Sequence, residues 1–107
     1  MKITNSYEEI NELINNNDMV LLYFSGENCG VCNVIKSKVE DILTKYSNIK
    51  SLEIKTENSR EIAGQYNIFT IPGIIVYVQN KETIREARYI SLEELESKIH
   101  RYYNMIY

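Results

Sequence analysis

Apolar side chains recur along this chain with two different periods, and the switches between them mark out its elements. Ile10, Leu13 and Ile14 share one helical face, and Ser6 stands three positions before Glu9 in a capping-box arrangement, so a helix is expected from Tyr7 to about Asn15. The run Asn15-Asn16-Asn17-Asp18 ends it, because short amide and carboxylate side chains compete for backbone hydrogen bonds. Met19 to Phe24 is apolar without alternation, the pattern of a strand covered on both faces. Beyond the loop Ser25-Gly26-Glu27-Asn28, the residues Val31, Val34, Ile35, Val39, Ile42, Leu43 and Tyr46 fall at helical spacing. They predict a helix of about four turns that opens near Cys29. Ile49 to Lys55 alternates through Leu52 and Ile54 as a strand does, and Ser59 to Tyr66 reads as a short helix burying Ile62, Ala63 and Tyr66. Gly73 to Val78 is rich in β-branched residues and predicts a strand, with Gln79 to Glu82 as a turn and Thr83 to Ala87 as its hairpin partner. A second Ser-x-x-Glu box, Ser91 and Glu94, opens a last helix to about Tyr103, with Leu92, Leu95, Ile99, Tyr102 and Ile106 on its stripe. With a short strand at Lys2-Ile3, this order predicts an α/β domain spanning residues 1–107, built on a mixed central sheet with helices on both faces.

Composition narrows the possible functions. A chain of 107 residues suffices for one ordinary core and is too short for two. Twelve Lys and Arg against fifteen Asp and Glu give a formal charge of −3, so no basic excess is available to neutralise nucleic-acid phosphates. Nor do the nine tyrosines make a base-stacking platform, since no basic stripe interleaves them. Tyr102, Tyr103 and Tyr107 suggest instead a sticky edge at the C-terminus. The apolar runs fall far short of the ~20 residues a membrane span requires. The polar Ser6-Tyr7-Glu8-Glu9 comes too soon for an export signal, so a cytoplasmic monomer without a membrane partner is expected.

The candidate chemistry lies in Cys29-Gly30-Val31-Cys32. A structural zinc site needs four ligands. Two thiols and His100, which is read as an exposed residue of the last helix, leave such a site short unless carboxylates or a second chain contribute. A redox dithiol suits the setting better, because the pair follows a buried strand and opens a helix. The first thiol there meets unpaired N–H groups and the positive end of the helix dipole, both of which favour thiolate. Gly30 and Val31 put both sulfurs on one turn. Cys29 would attack a target disulfide, and Cys32 would then attack the mixed disulfide and release the reduced target.

The stretch Phe24-Ser25-Gly26-Glu27-Asn28-Cys29-Gly30-Val31-Cys32, followed later by Thr70-Ile71-Pro72, resembles the thioredoxin family, and the likeness runs from the helix near Tyr7 to the final helix. The resemblance implies a thioredoxin fold and a thiol–disulfide oxidoreductase that reduces protein disulfides. It would bind no cofactor and take its electrons from NADPH through a separate thioredoxin reductase. Cys29 matches the exposed nucleophile, Cys32 the buried resolving cysteine, and Pro72 the family's cis-proline, with Ile71 presenting its backbone to substrate. Asn28, Phe69, Thr70 and Arg88 fall beside the implied substrate groove. Several positions depart from the family pattern. Asn28 replaces the usual tryptophan, Val31 the proline between the cysteines, Ser37 the proline of the long helix, and Arg88 a glycine before the last helix. The buried aspartate under the active site is matched by Tyr23 and its lysine companion by Glu53, which makes both candidates for redox tuning. If Glu53 lies beneath the dithiol, burial should raise its pKa and fit it to act as the missing base; otherwise it is solvated at the sheet margin. These departures leave room for a specialised reductant of one small-molecule or protein disulfide, or for a redox-inactive binding module.

Overall fold

The computed structural model describes all 107 residues. Five strands, β1 (Lys2–Ile3), β2 (Met19–Ser25), β3 (Lys50–Lys55), β4 (Gly73–Val78) and β5 (Lys81–Ala87), form one sheet in the order β1-β3-β2-β4-β5. β1, β3 and β2 run parallel, while β4 and β5 are antiparallel to their neighbours. The helices are α1 (Tyr7–Asn16), α2 (Gly30–Lys45), α3 (Arg60–Gln65) and α4 (Leu92–Ile106).

β2 is buried along its whole length, as its unbroken apolar run predicts, because helices cover both faces of the central strand. Strand alternation divides its side chains between two cores. Met19, Leu21 and Tyr23 point to α2 and α4, where they meet Val39, Ile42, Leu95 and Ile99. Val20, Leu22 and Phe24 point to α1 and α3, against Ile10, Ile14, Ile62 and Ala63. Both serines cap their helices, with the Glu9 N–H donating to Ser6 Oγ at 3.1 Å and the Glu94 N–H to Ser91 Oγ at 3.2 Å, but neither expected box closes: the Ser6 N–H donates to Thr4 Oγ1 and the Ser91 N–H to Glu86 Oε1. No helix is long and apolar enough to cross a membrane.

The structure differs from the sequence reading in four further places. Val31 and Val34 are more than half exposed instead of lying on the buried stripe of α2. Cys32, Val39 and Ile42 define the face of α2 that is turned to the sheet, and at about 100° per residue Val34 falls on the opposite side of the helix and Val31 at the edge of that face. The hairpin turn is tighter than expected, since Gln79 and Asn80 both take positive φ, the type I′ geometry that matches strand twist, and β5 starts directly at Lys81. α4 continues three residues past Tyr103, where that ring packs edge-on against Tyr46 at 5.1 Å and its hydroxyl accepts from Asn48 Nδ2 at 2.9 Å. The tyrosines expected to form a sticky edge are therefore partly spent on the chain's own core. A 3-10 turn over Thr56–Asn58, exposed and without apolar periodicity, joins β3 to α3.

Candidate active site

The C-terminal ends of β2 and β3, the first turn of α2 and the loop before β4 converge at one end of the sheet. Cys29 is the N-cap of α2, and Cys29 and Cys32 are joined as a disulfide with Cα atoms 5.2 Å apart. The two sulfurs sit in different environments. Cys29 is half-buried, whereas Cys32 is fully buried against the sheet. The Cys32 N–H points at Cys29 Sγ from 3.2 Å, so one of the orphan donors of the helix start is aimed at the outer sulfur. No three His, Cys, Asp or Glu side chains come together in a way that could hold a metal ion.

Opposite the dithiol the Ile71–Pro72 bond is cis. A side chain built on Gly26 would come within 2.6 Å of Ile71 Cδ1, 3.1 Å of Glu57 Oε1 and 3.8 Å of Cys29 Cβ. Gly26 is thus the narrow floor on which the nucleophile and the cis-proline loop meet. The apolar rim is open to solvent: Val31 is 57% exposed, Ile71 37% and Phe69 81%. Thr70 is half-buried, and Asn28 and Gly30 are exposed. Ala87 pairs with Gly73, so Arg88 leaves the sheet at the edge next to Pro72. Arg88 is exposed and takes a φ of 67°, a left-handed conformation that suits the glycine the family pattern carries there. Tyr89 follows at 86% exposure, an aromatic that its position between two polar stretches did not single out. Behind Phe69 and Ile71 a groove of about 380 Å³ extends along α3, floored by Ala63, Gly64 and Ile68 and edged by Thr56, Glu57 and Arg60.

Beneath the dithiol, Tyr23 and Glu53 stand opposite each other in the β2–β3 register, on the face covered by α2. The buried Tyr23 hydroxyl donates to the Cys32 carbonyl at 2.6 Å. Burial and the nearby Glu53 charge keep this phenol protonated far above neutrality. Glu53 corrects both expectations made for it. It is not solvated, being completely buried, and its pKa is lowered and not raised. Desolvation alone would push the carboxyl up, but hydrogen bonds from Lys36, Ser25 and Lys55 outweigh it. Lys36 Nζ lies 2.7 Å from Oε1, Lys55 Nζ 3.2 Å from Oε2, and Ser25 Oγ donates to Oε2 at 2.7 Å. Sequence reasoning missed Lys36 and Glu57. Lys36 was legible in principle, since it stands one helical turn below Cys32 on the same face.

His100 is exposed on α4, as expected, and its ring lies between the Tyr46 hydroxyl at 3.2 Å and the Asn104 amide at 3.0 Å, in the aromatic cluster around Tyr46 and Tyr103.

Known proteins resemble this chain in sequence and in fold. The thioredoxin family model matches residues 2–101. A thioredoxin-like protein of Bacillus subtilis, YdfQ, is 30% identical over 100 residues, covering 94% of this chain and 89% of its own length. The thioredoxin of Pyropia yezoensis is 30% identical over 92 residues, 85% of this chain and 86% of its own. In fold, the crystallographic thioredoxin of Fasciola hepatica superposes with a TM-score of 0.85 at 22% identity, covering 95% of this chain and 99% of that one. With its dithiol held between a helix start and a cis-proline loop, the chain belongs to the thioredoxin family and is a thiol–disulfide oxidoreductase.

Proposed function

We propose that this protein is a general reductant of disulfides in other proteins, recharged by a separate thioredoxin reductase that draws on NADPH, and that it works as a cytoplasmic monomer. The asymmetry of the two sulfurs carries the reading: one half-buried and facing an aimed N–H, the other sealed under the helix. Members of this family exchange disulfides with their own two cysteines and need no bound cofactor. In the reduced protein, the Cys29 thiolate attacks one sulfur of a target disulfide. The other target sulfur leaves as a thiolate, and Cys29 is left in a mixed disulfide. Cys32 loses its proton and attacks Cys29 Sγ, which expels the second target sulfur and closes the Cys29–Cys32 bond. Two electrons pass to the target, and its two thiolates take protons from water. Asn28, Phe69, Thr70, Ile71 and Arg88 supply the surface on which the target segment lies, and Pro72, which has no N–H, keeps the loop edge free of a competing ladder bond.

Turnover of insulin disulfides, with NADPH oxidation coupled through a thioredoxin reductase, tests the proposal. A general reductant sustains NADPH consumption, and replacing either cysteine abolishes it. The groove edged by Glu57 and Arg60, and Asn28 in place of a broad aromatic, favour one second reading, a reductant specialised for one disulfide partner. That reading predicts slow insulin turnover but fast turnover with the cognate disulfide. A redox-inactive binding module would bind its partner equally well after Cys29→Ser.

A further inference from the structure

One buried carboxylate is shared by two ammonium groups directly behind the resolving cysteine. Glu53 is completely buried, Lys36 Nζ and Lys55 Nζ both lie within ion-pair distance of it, and Ser25 Oγ donates to the same oxygen that Lys55 faces. Glu40 also acts on Lys36 and is itself paired with the N-terminal amine at 2.7 Å, while Tyr23 is uncharged. The cluster therefore carries about one uncompensated positive charge. Lys36 stands four residues after Cys32, so the two side chains are stacked neighbours on one helix face. Its own backbone N–H lies at the Tyr23 hydroxyl that binds the Cys32 carbonyl.

We infer that Lys36 supplies the counter-charge for the Cys32 thiolate during resolution, and that Glu53 is no base but a clamp that holds Lys36 in place and partly cancels its charge. The inference rests on the proposed exchange mechanism and names the residues that set its second step. When Cys32 has given its proton to solvent and attacks Cys29 Sγ, negative charge builds on a sulfur that is fully buried once the disulfide closes. A cation two side chains away in a medium of low polarity is the available compensation. Lys36 is a positioning residue here: it contacts neither substrate nor the bond being broken.

The account assigns opposite signs to the two partners. Taking the roughly 6 Å between side-chain neighbours one helical turn apart and an effective dielectric near 20, one unit charge shifts the thiolate equilibrium by roughly two pH units, which solvent screening of the partly exposed Lys36 reduces to about one. The test is stopped-flow measurement of release of a fluorescent peptide from its mixed disulfide with Cys29, from pH 5 to 10. E53Q removes the carboxylate charge but keeps an amide oxygen that can accept from Lys36, so it should shift the pH profile of the resolving step downward and leave resolution at pH 7 as fast as in the parent or faster. K36Q should shift it upward and slow resolution at pH 7 about tenfold, and K36R should restore the parent profile. K36Q guards against misfolding of E53Q, because it leaves Glu53 paired with Lys55 and Ser25 and Lys36 is partly exposed. Slower resolution in E53Q at neutral pH would overturn the inference in favour of a base role for Glu53. An unchanged profile in K36Q would overturn it as well, as would K36R behaving like K36Q. Formation of the mixed disulfide is followed in the same traces: if none forms through Cys29, the exchange mechanism itself fails, whatever the variants do.

Discussion

Replacing Tyr23 by phenylalanine removes one atom from under the active site and nothing else. The ring is fully buried and stays so, so no cavity opens; what is lost is the hydroxyl's bond to the Cys32 carbonyl at 2.6 Å. That carbonyl keeps its helical N–H partner, so no acceptor is stranded and the cost should be that of one buried hydrogen bond, about 1 kcal/mol. For a domain of this length that corresponds to a fall in Tm of about 4 °C. The fall should depend on redox state. In the oxidised protein the disulfide also holds the first turn of α2, whereas in the reduced protein the Tyr23 bond is one of the few ties from that turn to β2. Thermal unfolding of both forms should therefore show the larger loss in the reduced protein. By the closing of the cycle, Y23F should then be the stronger reductant by up to about 20 mV, since 30 mV corresponds to about 1.4 kcal/mol for a two-electron couple. Melting curves with and without reductant, together with equilibration against a glutathione series, measure both quantities. Equal Tm values for Y23F and parent in both redox states would show that the hydroxyl does not anchor Cys32, and a larger loss in the oxidised protein would refute the assigned direction.

Alkylation of the reduced protein near neutral pH should modify Cys29 well before Cys32, with a midpoint below the ordinary thiol value of about 8.5, because Cys29 is the half-exposed sulfur at the helix start; peptide mapping against pH reads this directly. G26A should fold, since the added methyl meets chiefly the mobile tip of Ile71, yet it should slow exchange with protein disulfides several-fold by displacing that residue, while reaction with a small aromatic disulfide changes little. Equal slowing of both reactions would place the fault at Cys29 instead. The carboxyl of Glu53 is held below its ordinary range, so its contribution to stability is present above about pH 4.3 and is lost as pH falls through its lower folded value. Urea titrations should accordingly find E53Q about 3 kcal/mol less stable than the parent at pH 7, with the gap closing in acid.

The fold was readable from the sequence where one physical rule governs a segment. The unbroken run Met19 to Phe24 has the length and pattern of a strand covered on both sides, and each Ser-x-x-Glu spacing marked a helix start that the structure reproduces. The dithiol was readable for the same reason, since a C-x-x-C opening a helix after a buried strand leaves few chemical uses. Side-chain burial was less legible. Val31 and Val34 face solvent because the buried stripe of α2 is centred on Cys32, Val39 and Ile42, and counting Cys32 among the apolar positions would have turned that stripe away from both valines. Glu53 shows the limit most clearly. Alternation fixed the face it takes, but the sign of its pKa shift depended on Lys36 and Lys55, partners from another helix and from two positions along its own strand. A sequence position near a charge cannot reveal how many cations share it.

The division of labour between the two sulfurs is tested most directly by trapping. The reduced Cys32→Ser and Cys29→Ser proteins are each incubated with an oxidised protein substrate, and the covalent adducts are identified by mass spectrometry after acid quenching. The account predicts a mixed disulfide that accumulates through Cys29 in Cys32→Ser, is released by added dithiol, and is essentially absent from Cys29→Ser. Adducts forming instead through Cys32 in the Cys29→Ser protein, with Cys32→Ser inert, would contradict the assignment of the outer sulfur as nucleophile and the mechanism built on it.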